Sequence, residues 1–525
     1  MIHKNTINKT NPEIETGKLI TNQVDKITPI KLSEIQFGYD IWTFELYKNQ
    51  YVLKGIYRDG ILSKLISLGY FKRVRENGTY YFIKEIENII TQVEQFKIKD
   101  DTLLYVQGIS SDLNFKYNGH DVKVKKEKLR ETFLRQSHLI LNPSYLEHLP
   151  THNKALLRDS KANSYIPFLN KILKIDKSGI KAMGYNELVD SCVWKNHIIQ
   201  RNFELNENYQ SCHFNKFLKN VTNDDSERYK SIISAIGYLL RDYQSPKNAQ
   251  AVLLYDETIT DFDNPQGGTG KGLLVQGLKQ IRKVVTIDGK KLNLEDRFRW
   301  QDIDEQTQII VIDDPKPSLD FSAFHSCLTE GWSIEKKNQP QFSIKPGDSP
   351  KLLIATNSIV KGEGTTNKRR QHIVEFSDHY QKLIINGNEE PIIIEHGCSF
   401  FDKEEWCEAE WNLFDNLMVN ALSKYFQNGL YTYKLKNVAQ NKLIQSTNID
   451  FSDWAIDQSF ELDKQYLTNE FYTEFQSTYY GENKDFHQRK FTNWLKKFAE
   501  LKNWDMKIKR SNGNSIFTFN SRLVS

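Results

Sequence analysis

The sequence predicts an α/β core built around a phosphate-binding loop, preceded by an α+β region and closed by a helical unit that carries a β-hairpin. Three observations predict it. Four short, nearly unbroken apolar runs, "AVLLY", "KVVTI", "QIIVIDD" and "KLLIATN", punctuate residues 249–377 and alternate with helical stretches. Such runs suit central strands of a parallel sheet covered on both faces. Between the first and second runs lies "GGTGKG" (Gly267–Gly272), followed by "LLVQGLKQI" with helical spacing of Leu274, Leu278 and Ile281. Near the end the order is helix, helix, hairpin, that of a winged helix-turn-helix.

Composition sets the outer bounds. A chain of 525 residues, 39% apolar and 26% charged, has ordinary globular proportions, and its length suggests roughly three or four domains. The expected division is a flexible tail over 1–33, an α+β region over 34–225, the core over 226–380, a helical region over 381–450 and a winged-helix unit over 451–525. Net charge is only +4, so any nucleic-acid surface must come from local clustering. No apolar run approaches the ~20 residues that a membrane helix needs. The start "MIHKNTINKT" lacks a signal peptide's apolar centre, so a cytoplasmic location is expected. Cys192, Cys212, Cys327, Cys398 and Cys407 form no C-x-x-C pair, which argues against a zinc ribbon and a disulfide framework.

From Ile35 to about Leu104, aromatic-rich segments alternate with turns. Asp121–Leu141 then reads as a basic helix with Leu129, Phe133 and Leu134 inward. Residues 165–203 read as a compact strand-rich module. "DSERYKSIISAIGYLLRDY" places Ile232, Ile233, Ile236, Leu239 and Leu240 on one helical face. In the last segment, "KDFHQRKFTNWLKKFAELKN" turns Phe491, Trp494, Leu495 and Phe498 inward and Arg489, Lys490, Lys496 and Lys497 outward. The hairpin "MKIKRSNGNSIFTF" adds Lys507, Lys509 and Arg510. Ten Lys/Arg stand against three acids between Lys484 and Arg522, a cluster suited to phosphate contact.

The candidate site is assembled from separated pieces. Gly267, Gly268, Thr269, Gly270, Lys271 and Gly272 would form the phosphate cradle, with backbone N–H groups, a lysine charge and a helix N-terminus aimed at an anion. Forty-two residues after Lys271, an apolar strand ends in Asp313 and Asp314. An acid there can hold a Mg²⁺ shell, and its neighbour can polarise an attacking water. "LLIATN" ends in Asn357, an amide able to sit between a phosphate and the water. Thirteen residues later Arg370, preceded by Lys368 and Arg369, offers a cation to a neighbouring subunit's phosphate. Between the acids and Asn357, "GWSIEKKNQPQFSIKPGDSP" reads as a hairpin carrying Lys336, Lys337 and Lys345, suited to a single strand's phosphates.

In this order the motifs resemble the superfamily 3 helicases, AAA+-related ring ATPases of viruses, phages and plasmids. "AIGYLL", "GGTGKG", "RFRWQDID", "IIVIDDP", "EKKNQPQFSI", "PKLLIATN" and "KRRQHIVEF" are similar to the primase-helicase group of phages and mobile elements, over about Tyr165–Ser377. The resemblance implies an AAA+-like P-loop ATPase core and a hexameric, ATP- and Mg²⁺-dependent helicase acting on single-stranded and forked DNA, with a separate primase or polymerase as partner. It also implies roles. Lys271 would bind the β/γ-phosphates, Asp313 would support Mg²⁺ and Asp314 would act on the water. Asn357 would be the sensor, Arg370 the finger with Arg369 the second choice, and Lys337 the DNA-contacting hairpin lysine.

Two departures qualify the loop. The common pattern begins with glycine where this chain has Pro265, and follows the lysine with Ser or Thr where it has Gly272. The missing hydroxyl ordinarily ligates Mg²⁺, so a slow ATPase is expected, with water or Thr269 completing the shell. Residues 1–250 offer no convincing D-x-D pair for primase chemistry and no H-x-H nicking motif, His148 and His152 lying four apart. Alternatives are an ATP-binding initiator or structural ring with little hydrolysis, and a packaging or transposition motor.

Overall fold

The computed structural model describes residues 41–525 except 118, 258–266, 363, 388–389, 436, 482–485, 512 and 523–525. The expected tail, most of the loop before Gly267, Lys484 and Asn512 therefore lie outside the described residues. The chain divides into two compact units. The first runs to Leu157 and includes Tyr165–Lys174 and Lys181–Phe203. The second takes Arg158–Ser164, Ile175–Ile180 and everything from Glu204 onward.

In the first unit, strands at Tyr70–Val74, Tyr80–Ile86 and Ile89–Val93 form a five-stranded sheet with Ser191–Trp194 and Ala155–Leu156. Ser191–Trp194, expected within a separate module over 165–203, thus pairs in parallel with Ile89–Val93 instead. The basic helix is shorter than expected. His120–Val124 is a strand, with Val122 and Val124 alternating inward as a half-buried strand requires, and the helix spans Lys126–Ile140. From that start Leu129, Phe133 and Ile140 share the buried face, while Leu134 lies about 100° round the helix and is 55% exposed rather than inward.

The second unit holds the expected α/β core. Five parallel strands, β1 (Ala251–Asp256), β2 (Val284–Asp288), β3 (Ile309–Asp313), β6 (Lys351–Ala355) and β7 (Gln371–Phe376), pair in the order β2-β3-β6-β1-β7. Between β3 and β6 the chain inserts an antiparallel hairpin, β4 (Trp332–Ile334) and β5 (Phe342–Ile344). Strands β1 and β6 are buried along their whole length, and each fully buried Leu or Ile contributes about 1.5–3 kcal/mol. The "KVVTI" run departs from expectation: among the described residues β2 lies at one edge of the sheet, and it is partly exposed.

Helices cover and flank this sheet: α1 (His213–Val221), α2 (Ser226–Leu240), α3 (Lys271–Lys279), α4 (His379–Ile385) and α5 (Glu408–Asn428). Helix α2 begins where Asp225 accepts hydrogen bonds from the N–H groups of Glu227 and Arg228, and its five expected apolar residues are all buried. Helices α6 (Val438–Ser446) and α7 (Ile449–Asp457) lead into the terminal part. There α8 (Thr468–Tyr479) and α9 (Gln488–Lys502) pack on a sheet of β8 (Gln465–Leu467), β9 (Trp504–Ser511) and β10 (Asn514–Ser521), ordered β8-β10-β9. Its core is aromatic, with Phe451, Trp454, Phe475, Phe491, Trp494, Phe498, Phe517 and Phe519 buried together.

Two buried histidines give the second unit an acid limit. His372 on β7 is 2% exposed beside Ser231, and His396 is 6% exposed with Nε2 against the Tyr380 hydroxyl at 2.7 Å. Burial lowers both rings to about 4 from 6.5. Above pH 6.5 neither state binds the extra protons. Between 6.5 and 4 the unfolded chain takes them up and the folded chain does not, so stability falls as pH drops through that window. The loss reaches roughly 3 kcal/mol per ring. Urea unfolding at pH 7.5 and 4.5 should show it, with a shallower decline for His372→Leu; an identical decline in that variant would exclude His372 as a source.

Candidate functional site

The carboxyl ends of β1, β3 and β6 bring the polar groups together. Leu254 is level with Ala355 on β6, and Ala355 with Asp313 on β3. Two residues further along their strands, Asp256 and Asn357 therefore stand level with each other at the sheet's edge. The first strand pairs with β6 on one side and β7 on the other, while the chain runs from it to the far edge strand β2. That is a switch in strand order, where open parallel sheets bind ligands.

Into this edge the loop sends Lys271, the first residue of α3. Its Nζ donates to Asp256 Oδ1 at 2.5 Å, Asn357 Oδ1 at 2.6 Å and Thr269 Oγ1 at 3.3 Å. Burial pulls the ammonium below its ordinary value, and the Asp256 carboxylate opposes this most strongly, with Asp314 and Asp313 adding to it. The structure brings Lys271 into hydrogen-bond contact with Thr269 and Asn357 and sets Asp313 and Asp314 near it on the neighbouring strand end, residues that the sequence also grouped. Sequence reasoning missed Asp256, although the same signal that singled out Asp313 was present: a carboxylate ending an apolar strand, here "AVLLYD".

The turn into α3 depends on its glycines. Gly270 caps α3 with φ +101°, a left-handed conformation open to glycine. A Cβ there would sit 2.7 Å from the Phe217 ring of α1, so α1 supports the loop from behind. Ile384 of α4 approaches Gly268 in the same way. Beside Gly267 and Gly272, by contrast, an added Cβ meets nothing within 4 Å. The helix has no side-chain cap and no acid in its first turn, which leaves its positive end to a ligand. The supporting residues Phe217 and Ile384 carried no signal in the sequence beyond being apolar.

The two strand-end acids differ. Asp313 is exposed. Asp314 adopts φ +47°, donates its N–H to the Ala355 carbonyl at 2.8 Å, and pairs with Lys290 Nζ at 2.6 Å. This left-handed conformation is one that Asp and Asn adopt readily in turns. Lys290, just beyond β2, was another residue the sequence did not single out.

Arg369 and Arg370 are not brought to this site. The Arg370 carbonyl accepts from Ala251 N at 2.8 Å, at the opposite end of β1 from Asp256. Six strand residues separate those ends by about 17 Å. The hairpin β4–β5 forms as expected from Trp332 and Phe342 packing inward, with Lys336 partly exposed and Lys337 exposed near its tip and Lys345 at its base. On the terminal module, Arg489, Lys490, Lys496 and Lys497 are exposed on α9, opposite the buried Phe491, Trp494, Leu495 and Phe498. Lys507, Lys509 and Arg510 are exposed along β9. Lys490 lies 5.2 Å from the centre of the Trp494 ring.

No protein-family model matches the chain, and no curated protein matches it. Solved structures similar to it include the A form of the apo C-terminal region of NrS-1, at 12% identity and TM-score 0.39, over 88% of this chain and 98% of that one. They also include JCV helicase bound to a phenoxyphenyl acetamide compound, at 13% identity and TM-score 0.23, over 47% and 61%. Among the described residues no helix is long and apolar enough to cross a membrane, and no group of three or more His, Cys, Asp or Glu is placed to hold a metal ion.

Proposed function

We propose that this chain is an ATP-dependent DNA helicase of the superfamily 3 type, serving replication of a phage, plasmid or other mobile element. The reading rests chiefly on Lys271, held between Asp256 and Asn357 at the start of α3, with Asp313 and Asp314 on the adjoining strand end. Bound ATP with Mg²⁺ would supply the cleavable triphosphate and the charge that stabilises its transfer to water. Lys271 would leave Asp256 for the β/γ-phosphates, and the Gly267–Gly272 backbone would wrap them. Asp313 would hold the metal ion, Asp314 would orient the attacking water, and Asn357 would sense the terminal phosphate. Arg370, with Arg369 as second choice, would reach a neighbouring copy in a ring, a hexamer in the family that the motifs resemble. Lys336, Lys337 and Lys345 would track one DNA strand. The terminal module would act as a winged helix, α9 and β9 presenting their cations to the phosphate backbone, and a separate primase or polymerase would complete the replication machinery.

The test is ATP hydrolysis by the purified chain with and without single-stranded DNA, beside Lys271→Ala and Asp314→Asn. DNA-stimulated hydrolysis that both substitutions remove is expected; equal hydrolysis by all three proteins would sink the reading. Unwinding of a forked duplex then separates a helicase from a ring that does not unwind.

One observation favours a second reading, an ATP-binding initiator or structural ring with little hydrolysis: the lysine is followed by Gly272, which lacks the metal-binding hydroxyl. Its open surroundings make a direct experiment possible, because a serine side chain has room there. Gly272→Ser should lower the Mg²⁺ concentration needed for half-maximal hydrolysis and raise the rate. An unchanged Mg²⁺ requirement would mean that Thr269 or water already completes the shell.

A further inference from the structure

Helix α6 touches both the nucleotide edge of the sheet and the core of the terminal module. At its start, the buried Glu375 carboxylate of β7 accepts from the N–H groups of Asn437 and Val438 at 3.1 and 3.2 Å, fixing the helix to the sheet. One turn on, Asn441, 2% exposed, donates from Nδ2 to the carbonyls of Asp256 and Glu257 at 3.2 and 3.1 Å. A further turn on, Gln445 makes a two-way pair with Ile359, accepting its N–H at 2.7 Å and donating to its carbonyl at 3.1 Å. Ile359 lies two residues past Asn357. One helix face therefore grips the chain just beyond both groups that hold Lys271.

The helix's apolar residues divide the same way. Val438 belongs to the core of the parallel sheet, together with Leu253, Ile310 and Ile354. Leu443 belongs to the terminal core, together with Phe491, Trp494, Leu495 and Phe498 of α9, whose other face carries Arg489, Lys490, Lys496 and Lys497. A nine-residue helix is about 13.5 Å long and moves as one body. When Lys271 exchanges Asp256 and Asn357 for phosphate, the two strand ends lose their shared cation, and any relative shift between them is passed to α6 through Asn441 and Gln445.

We infer that Asn441 and Gln445 are positioning residues that couple nucleotide occupancy at Lys271 to DNA binding by the basic face of α9. The inference rests on the nucleotide-site reading above and adds a regulatory link to it. Linkage makes the coupling reciprocal: nucleotide must change DNA affinity, and DNA must change nucleotide affinity by the same factor.

The experiment measures binding of a fluorescent oligonucleotide duplex, the form a winged helix would contact, to the full chain with and without Mg²⁺ and AMP-PNP, a non-hydrolysed ATP analogue. Binding of AMP-PNP is measured with and without the oligonucleotide. Wild type, Asn441→Ala and Gln445→Ala are compared, with thermal melting as the folding control. In the wild type each ligand should shift the other's Kd by roughly 5-fold or more. Each variant should bind either ligand alone and lose most of that shift. A merely structural role would weaken the binding of both ligands and leave the ratio unchanged. If Asn441→Ala does not fold, Gln445→Ala, which keeps the buried Asn441 bonds, decides between the two. Failure of AMP-PNP to bind the wild type overturns the nucleotide reading itself. Ligands that bind the wild type independently, or stay fully linked in the folded variants, overturn the coupling alone.

Discussion

Lys271→Ala should abolish nucleotide-dependent activity and destabilise the second unit as well, and the two effects should separate in a double variant. The activity loss follows from removing the cation that reaches the cradle, expected at roughly 10²-fold or more. The stability loss has a different cause. Asp256 is 6% exposed, and the lysine 2.5 Å away is its close charge partner. Deleting that partner leaves a buried carboxylate uncompensated, at a cost of about 3 kcal/mol. Adding Asp256→Asn removes the stranded charge, so Lys271→Ala/Asp256→Asn should regain most of the unfolding free energy in urea while remaining inactive. Should the double variant stay as unstable as the single one, Asp256 is not charged against Lys271 in the way the geometry requires. Restored hydrolysis in either variant would remove Lys271 from the mechanism altogether.

This prediction depends on a residue the sequence did not offer, and the reason is physical. The core was legible because burial on both faces writes strands as plain apolar runs: "AVLLY", "QIIVIDD" and "KLLIATN" became β1, β3 and β6 with their polar ends together. "KVVTI" looked the same yet lies at an edge, since an apolar run does not state how many neighbours its strand has. Lys271, Asp313, Asp314 and Asn357 could be read because a glycine-rich loop and polar strand ends are local patterns. Asp256 obeyed the same rule but was absorbed into the loop that follows it. Asn441 and Gln445 could not be read at all. Their partners are backbone carbonyls and N–H groups 86 to 185 residues away, and backbone groups leave no trace in the side-chain alphabet. Leu134 was misread for a simpler reason: it lies about 100° round the helix from Phe133, off the face that Leu129, Phe133 and Ile140 bury.

Substitution of Arg370 by alanine should have the other large effect, and its form tests assembly rather than folding. Within one chain Arg370 stands at the opposite end of β1 from Asp256, about 17 Å away by strand length. That is too far for an arginine of the same chain to reach a phosphate that Lys271 would hold. Arg370 is partly exposed and Arg369 exposed, and neither guanidinium has a side-chain partner among the described residues. If Arg370 serves catalysis, it serves a neighbouring copy, and an arginine supplied in trans is worth roughly 10³-fold or more in rate. Arg370→Ala alone should then lose hydrolysis while binding nucleotide normally, because the protein's own cradle is intact. Mixed with wild type at equal total concentration, it should depress activity more than in proportion, since each variant subunit disables a site on its neighbour and interrupts a coordinated ring. Pairing Arg370→Ala with Lys271→Ala sharpens the result. A Lys271→Ala copy retains its arginine and an Arg370→Ala copy retains its cradle, so any hydrolysis recovered on mixing the two inactive proteins arises at the interfaces that join one to the other. Strictly proportional loss in the first mixture and silence in the second would mean that catalysis does not use this arginine across a subunit boundary.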